Sequence, residues 1–252
     1  MKSKFCLISV LLLCMWLPSA AQYYSRSNIK KKISEWGHCR NVAITMKGWS
    51  VALNGINDYV TVGIPESIEK ELAELKENGE YIDDIQITEA GSWLILYGDN
   101  GPVYRGLSED LEKEVLAYHD DNEVINIVAF NDLGDWIIIS RDHYSVSSTV
   151  LSDEIDTGMK EYGNLVSAAM NNEGILLCFE TGYKILGKAP ESFLKRLRVT
   201  TIDAYRVKFL PDGTYFIADK DGNYDYYMRS AGMTRGVSGL FRHASCFCAV
   251  VR

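Results

Sequence analysis

The chain has 252 residues with 34 acids against 26 basic residues, a formal net charge of −8. Phosphates demand clustered Lys or Arg, so this balance excludes nucleic acid as the expected partner and excludes electrostatic docking on anionic lipid. The length and a 47% hydrophobic content suit one sizeable domain or two small ones.

In chain order, Lys2 and Lys4 precede an apolar run from Phe5 to Leu17, and Pro18-Ser-Ala-Ala-Gln22 follows. A basic start, a short apolar core and small residues before Gln22 read as a secretory signal peptide over 1–21, cleaved between Ala21 and Gln22. The run falls short of the roughly 20 residues of a membrane span, which disfavours an uncleaved anchor. A lipid-modified Cys14 fits less well again, since Leu13 stands where a small residue is wanted. The mature chain is expected to be secreted or periplasmic, about 231 residues long, with a charge of −10. No later segment is apolar enough to be transmembrane, and 22–28 reads as a linker.

From Ile29 onward one pattern recurs. The bulky residue after a Gly turn is Trp49, Trp93, Trp136, Leu176 and Tyr215, at spacings of 44, 43, 40 and 39 residues. Even spacing of this kind marks a repeat architecture. Helix starts precede the markers at Ile64-Pro-Glu-Ser-Ile68, Leu107-Ser-Glu-Asp-Leu111, Leu151-Ser-Asp-Glu-Ile155 and Ala189-Pro-Glu-Ser-Phe193. Pro or Ser with acids in the first turn suits capping and the helix dipole. One apolar face follows, as in Ile29/Ile33/Trp36, Ile68/Leu72/Leu75 and Leu111/Val115/Tyr118.

After each helix the sequence predicts three strands. The first strands are 41–44, 82–88, 124–130, 165–170 and 205–210. A turn with Gly follows, then a wholly apolar second strand, as in 93–97 and 136–139, whose composition implies burial on both faces. A second turn carries hairpin residues such as Asp99-Asn-Gly101 and Asp221-Gly222. The third strand carries tyrosines: Tyr59, Tyr104, Tyr144, Tyr183, and Tyr224 with Tyr226.

The expected fold is mainly β with short helices (α+β repeats). Five units over 29–228 each hold one helix and a three-stranded antiparallel meander. A lone unit cannot bury both sheet faces, so units must stack, as a ring or as an open α/β repeat array. Unit lengths of 39 to 44 with a buried apolar strand resemble β-propeller blades, from Ile29 to Met228, without the Trp-Asp signature of WD-type blades. The resemblance implies a five-bladed β-propeller-like ring and carries over no functional residue.

The tail, 229–252, holds Arg229, Arg235, Arg242 and Arg252 and no acids, and its Ser245–Val251 run is a candidate latching strand. Of the cysteines left after cleavage, Cys39 is a candidate disulfide partner for Cys246 or Cys248, and Cys178 reads as a buried free thiol. His243, Cys246 and Cys248 with His38 and Cys39 make a thin zinc set that secretion disfavours. Asp219–Asp225 resembles a calcium loop, but Gly222 stands at position 4 rather than 6, so a plain hairpin is expected. The pairs Asp83-Asp84 and Asp120-Asp121 read as solvated loop edges, because neighbours on a strand face opposite ways. No nucleophile elbow, phosphate loop or dinucleotide fingerprint is present.

The function expected is that of a secreted, non-catalytic module that binds a protein or carbohydrate and needs no cofactor. Its candidate ligand residues are Tyr104, Tyr144, Tyr183 and Tyr224 with the turn acids Asp99, Asp142 and Asp221, because aromatics repeated per unit stack on sugars and anchor interfaces. Two alternatives stand beside it. One is a propeller-type hydrolase or lyase with a rim site of Asp99, Asp142, His143 and Asp221; the other is an assembly component docking through its basic tail.

Overall fold

The computed structural model describes residues 17–55, 58–98, 101–141 and 143–228. Five units, each with one helix and one three-stranded antiparallel sheet, follow one another along these residues. The helices are α1 (Leu17–Trp36), α2 (Glu66–Glu77), α3 (Glu109–Asp120), α4 (Thr149–Tyr162) and α5 (Glu191–Leu197). Unit 1 holds β1 (Asn41–Ile44), β2 (Ser50–Leu53) and β3 (Tyr59–Val62); unit 2 holds β4 (Ile82–Ile87), β5 (Trp93–Tyr97) and β6 (Gly101–Arg105). Unit 3 holds β7 (Ile125–Phe130), β8 (Trp136–Ser140) and β9 (Tyr144–Val146). Unit 4 holds β10 (Leu165–Met170), β11 (Gly174–Phe179) and β12 (Tyr183–Gly187); unit 5 holds β13 (Arg206–Phe209), β14 (Tyr215–Ala218) and β15 (Tyr224–Tyr227). Among the described residues no helix is long and apolar enough to cross a membrane.

In every sheet the second strand lies in the middle. That explains its composition: β5, β8, β11 and β14 pair on both edges and pack on both faces, and of their residues all but Tyr97 are buried. Trp93, Trp136, Leu176 and Tyr215 are all core residues. Between units the strand contacts run through the first strands: β1 contacts β4, β4 contacts β7, β7 contacts β10, β10 contacts β13, and β13 contacts β1.

Each helix fills a core shared by two successive sheets. Ile68, Leu72 and Leu75 of α2 pack among Val51 and Leu53 of unit 1 and Ile85 and Ile95 of unit 2. Leu111, Val115 and Tyr118 of α3 do the same between units 2 and 3. Cores between units 3 and 4 and between 4 and 5 repeat the plan. The fifth core joins the two ends, with Ile29 and Ile33 of α1 packed between Val42 and Ala52 of unit 1 and Phe216, Tyr224 and Tyr226 of unit 5. Each such Ile, Leu or Phe contributes roughly 1.5–3 kcal/mol of burial energy, so no sheet is stable without its neighbours.

Polar contacts run parallel to the cores at the first turns. The Met46 N–H donates to Glu89 Oε1, the Ala90 N–H to Asp132 Oδ2 (3.1 Å), and the Asp132 N–H to Asn172 Oδ1 (3.0 Å). Asn171 Nδ2 then donates to the Phe209 carbonyl at 3.1 Å. Arg26 makes the last link: its guanidinium pairs with Asp212 of unit 5, donates to Thr214 Oγ1 at 2.9 Å and reaches the Thr45 carbonyl of unit 1 at 3.5 Å.

Two local expectations are corrected. Helix α4 starts at Thr149, because the Ser148 hydroxyl in extended backbone accepts from the Leu151 N–H; Ser152 lies inside the helix. The 22–28 stretch expected as a linker belongs to α1, and its Arg26 is fully buried.

Candidate functional site

The chemistry-bearing side chains of this protein gather where the first strands meet. Arg206 opens β13 and is 4% exposed, yet its guanidinium leaves its own unit. Nη2 donates to Asp83 Oδ2 of unit 2 at 2.8 Å, Nη1 donates to the Asn126 carbonyl of unit 3, and Asp84 Oδ2 lies 3.8 Å from Nη1. Arg40 of unit 1 reaches the other oxygen of Asp83 at 3.4 Å. Asp84, with no exposure, also accepts from Asn41 Nδ2 and from Gln86 Nε2 at 3.2 Å.

The Asp83-Asp84 pair therefore does not sit in a solvated loop, and the physical reason is a β-bulge. Ile82 and Asp84 pair with the successive residues Tyr97 and Leu96, which leaves Asp83 as the extra residue of β4. A bulge breaks the alternation of side chains, so both carboxylates can face one guanidinium. The same irregularity recurs at Asn126 of β7 and Val166 of β10, and the Asn126 bulge supplies the carbonyl that Arg206 uses. Burial by itself would raise the Asp84 carboxyl, but Arg206, then Lys208, and the hydrogen bonds from Gln86 and Asn41 hold it below the usual carboxylate range. Asp120 and Asp121, by contrast, are exposed as expected.

Next to this cluster lies a cavity of about 50 Å³ to which all five units contribute, among them Ala43, Gln86, Asn131, Asn171 and Lys208. A water needs about 10–15 Å³ of such space, so the cavity takes a few waters or one small ion, and not a sugar ring. Burial pushes the Lys208 ammonium down to about 8, against the pull of Asp84.

The third-strand tyrosines lie away from this centre, on the sheet edges beside the helices. Tyr104, Tyr144 and Tyr183 are half-buried, and each hydroxyl is tied to the helix that follows. Tyr104 donates to Glu112 of α3 at 3.2 Å, Tyr144 donates to Asp156 of α4 at 2.6 Å, and Arg198, just past α5, donates to the Tyr183 hydroxyl at 3.0 Å. Tyr224 is different: it is 1% exposed and stacks between Phe216 and Tyr226 in the core beneath α1.

Of the turn acids, Asp221 is exposed, while Asp99 and Asp142 lie outside the described residues. His143 stacks on Tyr118 at 5.1 Å between ring centroids, with Nδ1 2.9 Å from Glu123 Oε1. In the loop that resembled a calcium site, the Asp219 carboxylate accepts from the N–H groups of Asp221 and Asn223, both at 2.9 Å, so the acid serves the turn itself.

Cys39 and Cys178 are buried, and neither is bridged to another cysteine among the described residues. The Cys39 thiol lies 3.4 Å from the carbonyls of Asn41 and Leu53, and burial pushes it far above its ordinary range. Cys246, Cys248 and His243 lie outside the described residues.

No protein-family model matches the chain, and no curated protein matches it.

Proposed function

We propose that the five units close into a propeller-like ring and that the ring is a secreted, non-catalytic scaffold for a carbohydrate or protein ligand. Closure is supported by the core shared between the first and last units and by Arg206 reaching units 2 and 3 from unit 5. An open array would hold those units apart.

The observation that carries the binding reading is the recurrence of Tyr104, Tyr144 and Tyr183 in one setting. Each ring stands on an edge strand, half-exposed, with its hydroxyl fixed by a polar group near the next helix. An aromatic face whose orientation is already paid in folding offers rigid contact area to a sugar or to an interface. The axial carboxylates Asp83 and Asp84, in contrast, are committed to Arg206, Arg40, Asn41 and Gln86 beside a cavity too small for a sugar ring.

A glycan-array and pull-down screen of the mature chain tests the proposal. The expected result is a ligand captured by the wild type and lost when Tyr104, Tyr144 and Tyr183 are all changed to Ala. Each single change should weaken capture by about 1 kcal/mol, near five-fold. A chain that captures nothing but cleaves a polysaccharide or an ester overturns the reading.

A further inference from the structure

We propose that this protein associates with itself, the basic outer faces of α1 and α5 in one copy docking on the acidic outer faces of α2, α3 and α4 in the next. The inference rests on the charge of the helix faces and does not depend on any ligand at the outer tyrosines.

The helices divide by sign. α2, α3 and α4 carry 14 acids against four lysines. α1 carries Arg26, Lys30, Lys31 and Lys32 against Glu35, and α5 carries Lys195 and Arg196 against Glu191, with Arg198 just past its end. The division is also spatial. α5 fills the core between units 4 and 5 and α1 the core between units 5 and 1, so the basic pair flanks unit 5. α2, α3 and α4 fill the three cores that follow in succession.

The apolar stripe of each helix is spent on its core, which leaves the charges outward. Glu66, Glu74, Glu77, Glu109, Asp110 and Asp120 are exposed, and among the described residues none of them has an ion pair. On the basic side Lys31 is 79% exposed and meets only Glu35, at 3.9 Å, among the described residues, while Lys195 is exposed and has no ion pair among them. Each sector also offers an exposed apolar side chain: Leu116 on α3 and Val150 on α4 in the acidic one, Val199 past α5 in the basic one. Apolar contact inside a charged rim suits an interface.

A chain of net charge −8 repels its copies in most orientations. Bringing the basic sector onto the acidic one is the orientation in which the charges attract, so charge selects one docking rather than general aggregation. Every copy carries both halves of the contact. The two halves differ, so the contact is heterologous.

Sedimentation velocity of the mature chain tests this. In about 20 mM salt the wild type should sediment as a concentration-dependent dimer or larger species, and in about 0.5 M salt as the monomer, because screening shortens the reach of exposed charges. Glu74→Lys with Glu77→Lys and Asp120→Lys should give a monomer in low salt, and so should Lys31→Glu with Lys195→Glu. Mixing the two variants should restore association, since faces of opposite sign then meet again. The three acids lie in or near the last turns of α2 and α3, where lysine suits the helix dipole, and the set spares Glu112, Asp156 and Arg198, which hold the outer tyrosines. A wild type that stays monomeric in low salt overturns the proposal. So does a mixture that stays monomeric, and so does association that survives Lys31→Glu with Lys195→Glu, which would hand the contact to the basic 229–252 segment. Should one variant fail to fold, the wild-type salt series and the other variant decide.

Discussion

Arg206 is a single side chain that three units depend on. It joins unit 5 to Asp83 and Asp84 of unit 2 and to the Asn126 carbonyl of unit 3. Changing Arg206 to Met leaves the Asp83 and Asp84 carboxylates short of their main partner. Losing one side of a buried pair costs roughly 3–5 kcal/mol, and urea unfolding of the R206M chain should show a loss of that order. The same pairing dictates an acid response. Because the Asp84 carboxyl is held below its unfolded value of about 3.9, its contribution is present above that pH and is lost as pH falls through the folded value. Wild-type stability should drop below about pH 4, and Asp84→Asn should flatten that dependence. Urea midpoints measured across the acid range check it. Cys178 makes a second residue-scale case: burial pushes its thiol up to about 12. Iodoacetamide should leave it unmodified in the native chain and alkylate it in urea, as mass spectrometry will show.

At the scale of elements, the helices are wedges between sheets, and their tolerances follow from what they touch. Gly158 lies on the buried face of α4, where an added Cβ would stand 2.1 Å from Phe179 Cζ. Gly→Ala inside a helix normally gains about 0.5–1 kcal/mol. Here Phe179 is buried in the core between units 3 and 4, so overpacking at about 1–3 kcal/mol dominates. Gly158→Ala should therefore lower stability by about 1–2 kcal/mol, measured by thermal melts. Ser148→Ala at the start of the same helix should cost about 1 kcal/mol through loss of the cap to the Leu151 N–H. The element boundaries were largely legible beforehand: Ile68, Leu72 and Leu75, spaced for one helix face, are the buried residues of α2. The start of α4 was not, because Ser148 and Ser152 are both plausible caps and only backbone geometry chooses between them.

At the scale of the whole molecule, α1 joins the first and last units. Arg26 pairs with Asp212, Lys30 Nζ donates to the Met228 carbonyl at 3.4 Å, and Ile29 and Ile33 fill the core between units 1 and 5. If the proposed ring closes there, removing the chain through Trp36 should loosen both end sheets at once. Hydrogen exchange should accelerate together in β1–β3 and β13–β15, while β7–β9 keep their protection. Acceleration confined to β1–β3 would sink the ring.

The sequence by itself determined the unit: one helix, three strands, Gly-marked turns and a wholly apolar middle strand, repeated five times. Those features rest on short-range physics, namely capping, face periodicity, strand alternation and turn chemistry, which neighbouring residues settle among themselves. Only the tertiary structure decided which polar side chains the first strands bring together. Asp83 and Arg206 are 123 residues apart, and no local pattern pairs them. A one-residue bulge at Asp83 turned both acids of an expected solvated loop toward the Arg206 guanidinium. The polar centre depends on how the first strands of five units converge, a long-range arrangement that leaves no periodic mark on the chain.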